Sequence, residues 1–319
     1  MLLQHGSRAF GAAMRCMPHP RYARPARFAL QKGAGNCMLR PLSTTRFCLI
    51  DNSTRPCPAD VSTPNDDASK HMPPNDDASK HRAPAIRRFW RHVSVGELDG
   101  SLVVLLDKRP VKTPDGKPLR ISAQQPALAW LVAGEWESQK EFLGAHSLPL
   151  TSLVSRAIDG LGDAGVRSDV IDKLLKYFHT DSVCLHDEYP RVLAELQQQH
   201  YAPLVEWARS AFGIEIQTTT DMFVLRQAPA AAASLRAHVE GFSALKLAAL
   251  ERAVMTAKSF LIGLALVNQR LSVEDAAQAA QVEATAQTQM WGELENAHDL
   301  DNAAMRQILG ASACAAIGA

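Results

Sequence analysis

Acidic residues are absent from the first fifty positions of this 319-residue chain, although that stretch carries eight Lys and Arg side chains. It also lacks the continuous apolar segment of a secretory signal peptide. Arg-rich, Ser- and Thr-bearing segments without acids are typical of mitochondrial presequences, and we expect cleavage near Leu42–Cys48. Residues 1–46 are therefore predicted to be a presequence; a disordered basic tail is the alternative.

Beyond residue 50 the charge balance reverses. That part of the chain holds 26 of the 34 Lys and Arg side chains but all 33 Asp and Glu side chains. An acidic surface repels phosphate groups, so nucleic acid is not expected as a partner.

Cysteine and long apolar runs are also scarce beyond the N-terminal tail. Only two of the six cysteines, Cys184 and Cys314, lie beyond residue 57, too few for a disulfide framework or a cysteine-based zinc site. The longest apolar run, Phe260–Val267, is far shorter than the ~20 residues that a membrane-spanning helix needs. Membrane insertion is therefore not expected.

Residues 47–85 are predicted to be a disordered linker. The sequence PNDDASKH occurs at Pro64–His71 and again at Pro74–His81. This unit is polar, contains Pro and has no hydrophobic face, so it cannot stack into a repeat fold.

Residues 86–165 are predicted to form a small N-terminal α/β domain of short antiparallel strands and a helix. Strands are expected at Val93–Val95, Leu102–Leu106 and Leu119–Ile121, with turns such as Asp99-Gly100 between them. Ser122, with Gln125 at the capping-box position, should open a helix that continues to about Lys140. Its apolar face is expected to comprise Leu128, Leu131, Val132 and Trp136.

Residues 166–311 repeat apolar side chains at helical spacing, and residues 312–319 are expected to be a flexible tail. Gly213 should end one helix, a long helix should cover about Leu245–Arg270, and Ser272 with Asp275 should open another. A β-rich start followed by helices predicts an α+β fold with a C-terminal orthogonal helical bundle.

Three common sequence motifs of enzymes are absent from the chain. The sequence has no GxxxxGK[ST] loop, no GxSxG elbow and no HExxH helix, so no cofactor is expected. Asp181, Cys184 and His186 lie close together in TDSVCLH, where a nucleophilic Cys–His pair is conceivable. A buried, unreactive thiol and a helix cap at Asp181 explain the same residues better.

The segment Met290–Asp301 concentrates five ionisable side chains next to a Trp. Glu295 and His298 are three residues apart and would share a helix face, as in a metal half-site. Di-iron bundles need a second Glu-x-x-His motif, which the rest of the chain lacks. A metal-assisted hydrolase that uses Glu293, Glu295, His298 and Asp299 therefore remains only the alternative, and no metal site is predicted.

Carboxylates in this segment are poorly placed for helix stability. If the helix ends near Ala297, Glu293 and Glu295 oppose its macrodipole, at a cost of ~0.3–1 kcal/mol for each exposed charge. Asp299 or Asp301 avoids that cost by capping a following helix, Asn302–Leu309. The two glutamates are therefore expected to pair with a cation, within the fold or on a partner.

Six stretches of the chain resemble the mitochondrial F1-ATPase assembly factor 2 family, the chaperones of the F1 α subunit. They are RRFWRHVSV, LLDKRPVKTPDGKPL, AGEWESQ, LPLTSLVSRAID, TDSVCLHDEYPRVLAELQQQHYAPLVEW and WGELENAHDLD, and they follow the family's order across residues 87–301. The resemblance implies the two-domain fold predicted above and residence in the mitochondrial matrix. It also implies that the protein is not an enzyme, has no small-molecule substrate and binds the F1 α subunit until the β subunit displaces it.

The resemblance also suggests which residues act. The family's WGxxExAHD pattern falls on Trp291–Asp299, and its functionally sensitive acidic position matches Glu295. Many members have Trp where this chain has Asn296. We predict a partner-binding surface comprising Trp291, Glu293, Glu295, His298 and Asp299. Structural roles are predicted for Trp136, Trp207 and Gly292.

Overall fold

The computed structural model describes residues 86–221, 223–293 and 299–319. The predicted presequence and the predicted linker lie outside the described residues. Those residues form a small antiparallel sheet followed by a series of helices, which confirms the α+β class.

The sheet is built around a tight hairpin. Its strands are β1 (Val93–Leu98), β2 (Ser101–Leu106), β3 (Arg109–Pro110) and β4 (Arg120–Ser122). Asp99 and Gly100 join β1 to β2 with φ angles of 50° and 73°, and two positive φ values are what a type I′ turn requires. β1 pairs with the whole of β2, so β3 and β4 share the opposite edge of β2.

Helix α1 (Pro126–Glu137) covers this sheet through the buried side chains of Leu128 and Val132. The predicted start at Ser122 was wrong, because the helix begins at Pro126 and Gln125 provides no side-chain cap. Leu131 was also misplaced on the apolar face, since 46% of it is exposed.

Ten further helices follow in the described residues. They are α2 (Pro149–Asp159), α3 (Ala164–His179), α4 (Arg191–His200), α5 (Ala202–Phe212), α6 (Pro229–Glu240), α7 (Ala244–Ala257), α8 (Phe260–Val267), α9 (Val273–Ala280), α10 (Val282–Trp291) and α11 (Asp299–Ala316). Gly213 ends α5 in the left-handed conformation, as predicted. The Ser272 hydroxyl accepts a hydrogen bond from the Asp275 N–H, which confirms the predicted cap of α9.

Helix α8 is the centre of the helical region. All eight of its residues are buried, and α3, α5, α7, α9 and α11 pack around it. The Phe178 and Phe260 ring centroids are 5.9 Å apart at the contact with α3. A helix that is apolar on every side is stable in water only when other elements enclose it.

The predicted long helix Leu245–Arg270 is in fact two helices, α7 and α8. The chain turns at Lys258, which has a φ of 57°, and Ser259 then caps α8 by accepting from the Ile262 N–H. This turn brings α8 back against α7, where a Cβ on Gly263 would lie 2.6 Å from a Val254 methyl carbon. Gly263 therefore permits the close approach of the two helices.

Residues 312–319 are not the flexible tail that we expected. Helix α11 continues to Ala316, and Ser312, Ala315 and Ala316 are buried. The Gln125 side-chain amide also donates a 2.8 Å hydrogen bond to the Ile317 carbonyl. Apolar packing and this hydrogen bond hold the segment against the rest of the fold.

The proposed division at residues 165 and 166 remains a prediction. Helix α2, assigned to the first domain, packs against α7 and α11 of the second. In the described part of the chain, no helix is both long enough and apolar enough to cross a membrane.

Candidate functional site

The predicted partner-binding segment begins at the end of α10. Val282 and Ala286 anchor the first half of this helix in the core. Gly292 then ends it with φ and ψ of 88° and 163°, a conformation almost restricted to glycine, and its N–H donates to the Thr288 carbonyl at 2.8 Å. This conformation favours glycine at the end of α10, and the structural role of Gly292 remains a prediction.

The side chains around Gly292 face solvent. Trp291 is 77% exposed, and Met290 and Glu293 are exposed as well. Large exposed aromatic side chains are enriched where proteins bind partners. The described part of the segment thus combines an accessible apolar surface with negative charge.

Glu295 and His298 fall at positions 294–298, outside the described residues. Their predicted roles therefore remain predictions. Of the proposed hydrolase cluster only Glu293 and Asp299 are described, and among the described residues no group of three potential metal ligands is close enough to hold an ion.

Asp299 and Asp301 lie in the exposed first turn of α11. Negative charge at a helix N-terminus interacts favourably with the helix dipole, so these two carboxylates stabilise the helix that they begin. The helix was predicted at Asn302–Leu309 but starts earlier and ends later, at Ala316.

Two polar contacts fix α11 beside α9 and α10. The Arg306 guanidinium forms two 2.8 Å hydrogen bonds with the Glu274 carboxylate, and these lower the pKa of Glu274 to about 2. The Gln281 amide, just before α10, donates to the Asn302 side chain. The acidic segment therefore connects helices whose ends are held in place.

Asp181 and Cys184 are structural, as the preferred interpretation predicted. The Asp181 carboxylate is completely buried. It accepts from the Val183 N–H at 3.1 Å, which caps the turn Ser182–Cys184, and from the Leu261 N–H at 3.0 Å in the first turn of α8. Burial raises the pKa of Asp181 to about 6, although these hydrogen bonds favour the charged form. Burial also raises the pKa of the Cys184 thiol far above its usual value, which makes a nucleophilic thiolate unfavourable.

Glu135 takes part in a helix cap that sequence reasoning did not identify. Its carboxylate accepts from the Leu150 and Thr151 N–H groups at 2.7 and 2.9 Å and thereby caps α2. Burial raises the pKa of Glu135, while these hydrogen bonds oppose the rise. Pro149 at the first position of α2 was the available sequence signal for a helix start there.

Trp136 and Trp207 both contact the core, and their structural roles remain predictions. The Trp136 indole N–H donates to the Thr151 hydroxyl at 3.1 Å, and its ring contacts Trp90 at a centroid distance of 5.2 Å. Trp207 packs edge-on against Phe212 at 5.5 Å. Both tryptophans are half-buried against the core.

Comparison with known proteins agrees with the sequence resemblance. Residues 87–209 match the family model of the ATP12 chaperone protein. The mitochondrial protein atp12 of Schizosaccharomyces pombe is 30% identical over 238 residues, which cover 72% of this chain and 82% of that relative. The mitochondrial protein ATP12 of Saccharomyces cerevisiae is 30% identical over 271 residues, with 72% and 83% covered.

A solved structure supports the same relationship. The crystal structure of Atp12 from Paracoccus denitrificans matches this fold with a TM-score of 0.64 and 28% sequence identity. The match covers 72% of this chain and 97% of the bacterial one. Fold, sequence and chain coverage are consistent, and this chain belongs to the ATP12 chaperone family, whose members are F1-ATPase assembly chaperones and not enzymes.

Proposed function

We propose that this protein binds the unassembled F1 α subunit in the mitochondrial matrix and holds it until the β subunit takes its place. The observation that carries the proposal is the exposed, acidic end of α10, in a stretch from residue 271 to residue 305 without any Lys or Arg. Family membership supplies the chaperone role, and this segment supplies a surface for it.

The physical need for such a chaperone follows from subunit assembly. A lone α subunit exposes surfaces that the β subunit covers in the assembled enzyme, and exposed apolar patches of several hundred Å² promote aggregation. A chaperone must cover such a patch and still be displaced by the correct neighbour. An exposed Trp among carboxylates suits this task, because charged groups around an interface contribute more to specificity and association rate than to affinity.

The matrix location is supported by the acid-free, Arg-rich first fifty residues and by the mitochondrial relatives. Import should remove roughly the first 40–50 residues. N-terminal sequencing of the protein from purified matrix tests this, and an intact Met1 on a cytosolic protein would contradict it.

Reversal of one acidic charge tests the binding role. Glu295→Lys should bring two like charges together if its partner on the α subunit is Lys or Arg. Binding should weaken by about 2–5 kcal/mol if the pair is desolvated in the complex. Capture of the α subunit from matrix extract and isothermal titration with purified subunit measure this loss.

Glu97→Lys is the matched control, because Glu97 is exposed on β1 and undergoes the same change of charge. It should bind normally. Normal α-subunit binding by a stably folded Glu295→Lys protein would refute the role of Glu295. A large drop in its melting temperature would instead assign Glu295 to an internal ion pair.

A further inference from the structure

Helices α4 and α10 pack against each other. Each has ten residues, a length of about 15 Å. Tyr201 directly follows α4, and Glu283 lies in the first turn of α10. Burial and then the nearby Glu283 charge raise the pKa of Tyr201, so the end of α4 adjoins the beginning of α10. With these two ends together and the helices in contact, the beginning of α4 and the end of α10 lie towards the same side of the fold, and the burial of the two helices agrees with this.

Burial changes along both helices in the way that this arrangement requires. Gln197 and Tyr201 are buried at the end of α4, whereas Arg191 at its beginning is exposed. In α10 the order is reversed, because Val282 is buried and Trp291 is exposed. The pair thus has one end in the core and one end in solvent. We call the solvent end the helix-pair tip; it comprises Glu188, Tyr189, Arg191, Met290, Trp291 and Glu293.

Two aromatic side chains dominate the helix-pair tip. Tyr189 is 86% exposed and Trp291 is 77% exposed. The loop that carries Tyr189 is held in place by Gln197, whose side chain accepts from the Asp187 N–H at 2.7 Å and donates to the Asp187 carboxylate at 3.0 Å. An aromatic side chain on a positioned loop loses little conformational freedom on binding, which favours affinity.

The charge around these aromatics is negative. Residues 177–190 contain no Lys or Arg, as is also true of residues 271–305. Glu188 and Glu293 are exposed, and the Arg191 guanidinium pairs with Glu195 at 2.7 Å. A surface of this kind is complementary to an apolar patch surrounded by basic side chains.

We propose that the helix-pair tip is a single docking surface in which Tyr189 and Trp291 both insert into the apolar β-contacting face of the unassembled F1 α subunit, a face rimmed by basic side chains. The proposal rests on the proposed function above. It extends the binding surface from the acidic segment after α10 to the loop before α4, a part that the motif did not indicate.

The test compares aromatic substitutions in the full mature chain. Tyr189→Ser and Trp291→Ser should each lower the affinity for purified F1 α subunit at least tenfold, since buried aromatic anchors dominate interface energetics. Trp130→Ser is the matched control, because Trp130 is 62% exposed on α1 and should change affinity less than twofold. Light scattering during dilution of denatured α subunit gives an independent readout, and both tip variants should suppress aggregation poorly.

The outcomes separate the two proposals. Failure of the wild-type protein to bind the α subunit would contradict the proposed function itself. If the wild type binds and Tyr189→Ser binds equally well, the helix-pair tip is not one docking surface, even if Trp291→Ser is impaired. Melting temperatures within a few degrees of wild type, and recovery of binding in Tyr189→Phe, would show that the loss comes from the missing ring and not from misfolding.

Discussion

Helices α8 and α10 make an instructive pair, because they are similar in length and neither contains Lys or Arg. Every residue of α8 is buried, whereas only Val282 and Ala286 of α10 are. Helix α8 is enclosed by five other helices, while α10 packs mainly against α4. The comparison indicates that α8 contributes mainly to stability. Helix α10 is held in the core at its first turn, and its other end is exposed, where we propose that a partner binds.

The strongest test of this difference removes one ring from α8. Phe260→Ala should lower the free energy of unfolding by about 3–5 kcal/mol, because it leaves a cavity in a fully packed core. Urea unfolding followed by circular dichroism measures the change. Phe223→Ala is the control, since Phe223 is 81% exposed and its loss should cost less than about 0.5 kcal/mol. Equal effects of the two substitutions would show that the core does not centre on α8.

Much of the fold was predictable because local signals agree with it. The Asp99-Gly100 turn, the Gly213 terminator and the Ser272 cap each act within a few residues of the chain, and the structure confirms all three. The break at Lys258 was missed. Ser259 is a possible cap residue, but a Lys in the left-handed conformation carries no sequence signature and the apolar pattern resumes directly after it. Only the packing of α8 on α7 requires that break.

The candidate site was less accessible to sequence reasoning. The motif indicated Trp291, but Tyr189 is 102 positions away, and we propose it as part of the same surface only because α4 packs on α10. The role of Glu135 was missed for the same reason. Its hydrogen-bond partners are backbone N–H groups at Leu150 and Thr151, which the side-chain sequence does not identify. Contacts between distant segments determine both roles, and composition and spacing do not encode them.

Asp181, at the start of α8, gives a prediction whose expected effect on stability is smaller than that of Phe260→Ala. Burial raises the pKa of Asp181 from its ordinary value of 3.8 to about 6 in the folded protein. Between these two values Asp181 binds more protons in the folded state than in the unfolded state, so its contribution to stability falls as the pH rises from about 4 to about 6. The decrease from this one group should be up to about 3 kcal/mol.

Asp181→Asn isolates that contribution, because an amide does not titrate in this range. Chemical unfolding of both proteins at several pH values should show the wild type losing stability relative to the variant between pH 4 and 6. The comparison removes the opposite trend from carboxylates with lowered pKa, such as Glu274. Parallel stability profiles for the two proteins would mean that Asp181 does not change its protonation in this range.

The smallest expected effect on stability is at the exposed end of α10. Trp291→Ser removes a ring that is 77% exposed, so little apolar surface returns to water on unfolding. The free energy of unfolding should change by no more than about 0.5 kcal/mol, which is typical of surface positions. Urea unfolding under the conditions used for Phe260→Ala measures it. A loss above about 2 kcal/mol would mean that Trp291 packs on the fold in solution, and the contrast between α8 and α10 would then be wrong.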